Sequence, residues 1–545
     1  MKKPFSRRSF LKVSTLAAGA GLTAPLWPSR LFAAAGVPAT AASAPPQIPP
    51  GVFAPSRQSL GAYQVPEWFR DAKFGIWNHW GPQSAAEYGD WYARRMYIEG
   101  EAQYNHHLQH YGHPSKTGFA DVIKSWKADK FDADYLMGLY KKAGARYYMS
   151  MGCHHDNFDM WNSKFQPVWN AAASGPKKDI LGLFKKAADQ QGLRFGVSEH
   201  LSNSFSWFGP AHGSDKAGAL KGVPYDGQDP QYAGLYHDYS QMPADYVQKV
   251  VTAPAKGAIA MSTEGPPSWR ENYFARILDV ITQYEPDMLY TDGGIPFGDD
   301  GLAIVAHLYN TSARRRGGKT EAIYNSKSRP DSAAGMCVLD VERGLVDSIW
   351  PRPWQTDTCV GNWHYDTRAR YRTVKYIIDM LVDIVSRNGN LLLNFPLPNS
   401  GMLDDKELAI LQGITAWMAV NGEAIFATRP WKIFGTGPGS EIKPVAGQQF
   451  NENTRKDFTA EEVRFTTKGN TLYAFFMGWP DKQIVIAPLA VGSPNVIGKI
   501  DNVELLGFPG KLVWTHDGKG LTVQLPAEKP CEHGYALKIT GLATV

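Results

Sequence analysis

The chain has 545 residues, 43% hydrophobic and 20% charged, which is the balance of a folded soluble protein and enough length for more than one core. Its 57 Lys and Arg against 52 Asp and Glu give a net charge of +5. Residues 1–35 carry six of those cations and no acid, so the remainder stands at 51 against 52, or −1, and offers no electrostatic footprint for nucleic acid. Aromatic residues reach 12%, with 17 Trp, a content that suits the C–H faces of sugars but also any large core.

Residues 1–35 read as an address. Arg7-Arg8 precede Phe10-Leu11-Lys12, an apolar run over residues 13–22 and Ala33-Ala34-Ala35, the parts of a cleavable signal peptide. The paired arginines resemble the twin-arginine export signal, which predicts folding inside a bacterium and work in the periplasm or beyond. Pro25 and Pro28 interrupt the run, so no stable membrane insertion is expected. Residues 36–56 hold six prolines and read as a linker. Cys153, Cys337, Cys359 and Cys531 form no CxxC pair; one or two bridges are compatible with export, and spacing does not select among them.

From residue 57 to 435 short apolar runs alternate with helical periods. Strands are predicted at residues 74–80, 146–152, 194–199, 288–292, 322–325, 346–350 and 391–395, with amphipathic helices over 131–143, 269–284 and 371–385. Seven or eight such units predict an α/β fold, a closed (β/α)8 TIM-like barrel. No GxGxxG, GxxxxGK[ST] or GxSxG motif is present, which argues against nucleotide binding and serine hydrolase chemistry. Residues 436–545 read as a small C-terminal all-β sandwich of seven short strands, a brace for the barrel rather than a carbohydrate-binding module.

A parallel barrel presents its functional groups at the carboxyl ends of its strands. Those ends carry His79-Trp80, His154-His155-Asp156, Glu199-His200 and Asp292-Gly293-Gly294, with Glu342 in a further connection. Adjacent His154 and His155 on one strand would face opposite ways, so a hydroxyl-binding rim is favoured over a metal, and no metal or other cofactor is expected. A second group, His106, His107, His110 and His113, falls in a Gly/Pro-punctuated stretch. Two rim carboxylates among histidines and tryptophans suit glycoside hydrolysis. Asp292, at a strand end with glycines after it, is the better nucleophile candidate.

At these residues the chain resembles the α-L-fucosidase family of glycoside hydrolases. The likeness runs through Trp68-Phe69-Arg70-Asp71-Ala72-Lys73-Phe74-Gly75-Ile76, His79-Trp80-Gly81, Asp90-Trp91-Tyr92, His154-His155-Asp156, Thr291-Asp292-Gly293, Ser386-Arg387-Asn388-Gly389-Asn390 and Thr428-Arg429-Pro430-Trp431. It covers residues 60–435, and the C-terminal sandwich also looks like the family's second domain. The resemblance implies a cofactor-free, exo-acting, retaining hydrolase releasing terminal α-L-fucose from a fucosylated oligosaccharide or glycoconjugate. It puts the nucleophile at Asp292, the sugar hydroxyls on His79, His154 and His155, and an aromatic contact at Trp91, with Trp80 shaping the pocket. Asp90, Tyr290, Glu199 and His200 stand where many members have Glu, Trp and Tyr, and are read as substrate-binding positions. Glu342 is the acid/base candidate, with Glu199 the alternative. Two other readings keep the barrel: a hydrolase of another α-L-sugar, and an exported sugar-binding protein without catalysis. The oligomeric state is left open.

Overall fold

A computed structural model describes residues 48–441, 449–452 and 457–544. The export signal and most of the linker therefore lie outside the described residues. Eight parallel strands close into a barrel in chain order: β1 Phe74–Asn78, β2 Tyr147–Cys153, β3 Arg194–Glu199, β4 Met288–Thr291, β5 Ile323–Ser326, β6 Val338–Asp340, β7 Trp354–Cys359 and β8 Gly389–Asn394. Closure is made by β1 on β8, with Phe74 opposite Leu391 and Trp77 opposite Asn394. Burial on both faces explains the near-continuous apolar runs in β1 and β8.

Side chains alternate between two cores, as the period of a strand requires. Trp77, Tyr147, Met149, Met288, Tyr290, Ile323, Val338 and Leu392 point inward and fill the barrel. Ile76, Tyr148, Val197, Leu289, Leu391 and Leu393 point outward beneath the helices. The helices follow local signals: Val374–Ser386 starts where the Thr373 hydroxyl accepts from the Tyr376 N–H, and Asp405–Asn421 where Asp404 and Glu407 form a capping box.

The predicted strand at residues 346–350 does not exist. Those residues form bends whose backbone pairs with Arg387: the Arg387 guanidinium donates to the Val346 carbonyl and the Trp350 N–H to the Arg387 carbonyl. Two strands lie on either side instead. β6 has only three residues, and β7 reads Trp-Gln-Thr-Asp-Thr-Cys, with Gln355 and Asp357 fully buried, so neither shows the apolar run of a strand core.

Antiparallel strands β9 Arg429–Thr436, β10 Val463–Lys468, β11 Thr471–Phe476, β12 Gln483–Ile486, β13 Gly498–Leu505, β14 Trp514–Asp517, β15 Gly520–Gln524 and β16 Tyr535–Leu542 make two sheets, ordered β13-β16-β11-β10-β9 and β12-β15-β14. Phe465, Leu472, Ile484, Leu521, Val523 and Leu537 share the core between them. β9 starts inside the stretch read as barrel and adds an eighth strand to the seven expected. All four cysteines are free thiols, so neither of the bridges left open by their spacing forms. No helix among the described residues is long and apolar enough to cross a membrane.

Polar contacts weld the sandwich to the barrel. The Trp417 indole donates to the Gly534 carbonyl at 2.7 Å and the Thr466 hydroxyl to the Ala424 carbonyl at 2.8 Å. Arg464, fully buried, pairs with Asp383 at 2.5 Å and Glu462 at 3.1 Å, both also buried. Removing one member of a buried ionic group strands the others. Arg464→Ala is therefore expected to cost about 3–5 kcal/mol, read as a fall in the denaturant midpoint. A loss below about 1 kcal/mol, the size of an exposed pair, would contradict this account of the interface.

Candidate active site

The carboxyl ends of the strands surround a cavity of about 210 Å³. Asp292 follows β4, Lys327 follows β5, Glu342 lies two residues past β6 and Asp357 is in β7. The Lys327 ammonium donates to Asp292 Oδ1 and to Glu342 Oε2. One nitrogen bonded to both oxygens holds them no more than about 6 Å apart.

The two carboxyls are pushed in opposite directions. Burial acts to raise Asp292, but the Lys327 charge and hydrogen bonds from His155 and His200 hold it well below the usual carboxylate range. Burial pushes Glu342 up; Lys327 pulls it down, Asp357 and Asp292 push it further up, and it stands at about 7. Lys327, though buried, is held well above the ordinary lysine value by Asp292, Glu342 and Asp357. On the cavity wall, Tyr290 donates to Asp357 at 3.0 Å. Burial, then the neighbouring Asp340, raises Asp357 well above normal, and Asp340 itself reaches about 6, chiefly through burial.

The Asp292 carboxylate is oriented by two imidazoles. His155 Nδ1 donates to the His200 carbonyl at 2.6 Å, which turns Nε2 toward Asp292 Oδ2 at 3.3 Å. His200 Nδ1 lies 3.3 Å from the same oxygen. Gly293 has a φ of +136°, a conformation for glycine, and turns the chain away from the carboxylate. His154 and His155 both line the cavity, contrary to the alternation expected of strand neighbours. β2 ends at Cys153 after a register shift, so the pair lies beyond the pleat.

His79, held by its N–H on Asn394 Oδ1 at 2.7 Å, and His364, whose N–H donates to Asp90 Oδ1 at 2.6 Å, complete a ring of imidazoles. Burial lowers His79 and His154 well below the usual histidine value and His200 to about 4, so these rings are neutral near pH 7 and can both donate and accept. His79 Nδ1, His200 Nε2 and both nitrogens of His364 are buried with no hydrogen bond from the protein, although His364 Nδ1 lies 3.7 Å from Asp90 Oδ1. Nitrogens of His79, His154 and His364, and of His154, His155 and His200, lie within 4.8 Å of one another, close enough to chelate an ion. The second histidine group does not converge. His107 is spent on Tyr92 and the Thr117 carbonyl, His113 on Asp215, and His106 stacks on Tyr88.

Two predicted contacts are absent. Trp80 packs away from the cavity against Trp126 and Phe131, its indole donating to the Pro398 carbonyl. Glu199 lies behind Asp292, fully buried and accepting from Thr291 at 2.6 Å, Tyr273 at 3.0 Å and the Leu201 N–H at 3.0 Å. It is a support and not a rim acid. Asp90, Trp91, His200 and Tyr290 do line the cavity. Lining residues missed in the sequence are Trp77, Met261, Asp357, Trp363, His364 and Phe450, together with Lys327. Asn325-Ser326-Lys327 at a strand end carried a signal for the last; Phe450 carried none.

A closed parallel barrel with a lysine-bridged carboxylate pair and neutral imidazoles at its carboxyl rim has the layout of a glycoside hydrolase. The model of the α-L-fucosidase family matches residues 40–423, and that of the α-L-fucosidase C-terminal domain matches residues 455–540. The chain belongs to the α-L-fucosidase family and is a glycosidase. It is 26% identical over 510 residues to the tissue α-L-fucosidase of Homo sapiens, covering 91% of this chain and 93% of that one. It is 26% identical over 507 residues to the human plasma α-L-fucosidase, covering 90% and 93%. The crystal structure of Thermotoga maritima α-fucosidase shares the fold, with a TM-score of 0.66 at 22% identity over 90% of this chain and all of that one.

Lys327→Met removes the cation that lowers both carboxyls, so both are expected to titrate at higher pH. Infrared carboxylate bands followed against pH, assigned with Asp292→Asn and Glu342→Gln, read this directly. Unmoved midpoints would show that the ammonium does not keep Asp292 ionised.

Proposed function

We propose that this enzyme releases terminal α-L-fucose from fucosylated glycans with retention of the anomeric configuration. The observation that carries the mechanism is the Lys327 bridge. A separation of about 5–5.5 Å between two carboxyls belongs to retaining glycosidases and about 6.5–9.5 Å to inverting ones, and a shared ammonium favours the shorter. Asp292, kept ionised, attacks the anomeric carbon. The bond to the leaving oxygen breaks, its electron pair stays on that oxygen, and the Glu342 proton goes to it. Glu342 then takes a proton from water, whose oxygen joins the anomeric carbon and frees Asp292. A carboxyl at about 7 suits both halves of this cycle.

The open nitrogens of His79, His200 and His364 are suited to sugar hydroxyls. Trp77, packed at a tilt with its ring centre 5.1 Å from that of Tyr290 and 5.5 Å from that of Trp363, offers an apolar wall for the methyl group of a 6-deoxy sugar. Burying one methyl discriminates by about 1–3 kcal/mol, so related L-sugars are disfavoured rather than excluded. Arg7-Arg8 support export by the twin-arginine route, with activity outside the inner membrane. Replacing both by Lys should leave the unprocessed protein in the cytoplasmic fraction; normal processing would remove that reading.

Proton NMR during hydrolysis of an aryl α-L-fucoside should show the α-anomer of fucose first; β-fucose first would overturn retention. Asp292→Ala is expected to lower kcat by about 10³-fold or more. With Glu342 as the acid, wild-type kcat/KM should fall as pH rises through about 7, and Glu342→Gln should abolish that limb. A limb that persists in the variant would place the acid elsewhere.

A further inference from the structure

Residues 449–452 belong to the connection between β9 and β10, yet they lie on the barrel rim. They are stitched to the loop that carries Glu342. The Phe450 N–H donates to the Glu342 carbonyl at 2.8 Å, and the Glu342 N–H donates to the Gln449 side-chain oxygen. Asn451 exchanges hydrogen bonds with both backbone groups of Leu345, at 2.8 and 3.0 Å. The Glu452 N–H donates to the Arg343 carbonyl at 2.9 Å, and its buried carboxylate accepts from Arg343, Arg372 and Thr358. Within this pinned segment Asn451 and Glu452 are buried, but Phe450 is 53% exposed and lines the mouth of the cavity. Its φ is +59°, a left-handed backbone that a phenylalanine rarely adopts. Strained backbone, anchored neighbours and a bare ring beside Glu342 have no packing explanation.

We propose that Phe450 is the platform of the leaving-group subsite, taking a pyranose that lays its C–H face on the phenyl ring. This rests on the fucosidase reading above, with Glu342 as proton donor. The leaving oxygen must lie at Glu342, and Phe450 lines the same cavity, so the first ring beyond that oxygen comes within reach of the phenyl ring. A phenyl ring makes no hydrogen bond, so it reads an apolar sugar face and not a hydroxyl pattern. Hexoses and N-acetylhexosamines with such a face are accepted alike.

The test compares two substrates that both need protonation of an alkoxide: methyl α-L-fucoside, which has no second ring, and the best substrate among the fucosyl-hexose disaccharides. In Phe450→Ala the loss of kcat/KM on the disaccharide is expected to exceed that on the methyl fucoside by about tenfold, mainly through KM, with Phe450→Trp restoring it. Equal losses would mean that Phe450 acts only through Glu342 or through folding, and would overturn the proposal, as would no loss on either. Should Phe450→Ala fold poorly by thermal melting, Phe450→Leu supplies the same comparison with more of the side-chain volume kept. Wild-type turnover of neither substrate would instead defeat the fucosidase reading, a separate outcome from a wild-type enzyme whose variant keeps the disaccharide preference.

Discussion

The site depends on one ammonium between two buried carboxyls. Without Lys327, Asp292 and Glu342 would be acids in a poorly solvated cavity, where burial and mutual repulsion favour protonation of both. Lys327 serves both equally in geometry, so it does not by itself make them different. The asymmetry comes from the other neighbours. Asp292 receives two imidazoles, while Glu342 faces the second acid Asp357. The result is a pair whose proton affinities are driven apart within one cavity, the condition for one to attack and the other to donate.

That separation needs support from the barrel interior. Asp340, Asp357, Tyr290 and Gln355 form a buried polar layer under the pocket, in which Tyr290 donates to Asp357 and Gln355 to Asp340. Glu199 works similarly beneath Asp292: its carbonyl accepts the Asp292 N–H, and its carboxyl accepts from Thr291 and Tyr273. A carboxyl already satisfied by three donors stiffens the strand end and has little left for a substrate. Burial likewise sets His79 and His154, keeping them neutral and so able to meet hydroxyls in either sense.

Much of this was legible in the sequence where burial writes a simple pattern. Six of the seven predicted barrel strands coincide with observed ones, and Asp292, His79, His154, His155 and His200 converge as the strand-end argument requires. The pattern failed where strands are short or polar inside. Missing β6 and β7 hid Asp357, Trp363 and His364, because their rim positions are defined only by the strands that precede them. Trp80 and Glu199 sit within one or two residues of true rim groups, where a single turn of the chain decides between cavity and core. Phe450 is separated from Glu342 by over a hundred residues and meets it only through tertiary pairing.

That last contact changes the role of the sandwich. Glu342 follows the shortest strand of the barrel: β6 pairs through two residues with β5 and two with β7. The loop beyond it has no helix to lean on before β7 and is held on one side by β7 itself, whose Gln355 and Asp357 carbonyls accept the Val341 and Arg343 N–H groups at 2.9 and 2.7 Å. Its other side is held by residues 449–452, from the connection between β9 and β10, and that segment is anchored because Glu452 is buried between Arg343 and Arg372. A segment between two strands of the sandwich thus meets the barrel at the connection that carries Glu342. The position of Glu342 is therefore set from two sides, by a strand of the barrel and by a segment from the second domain.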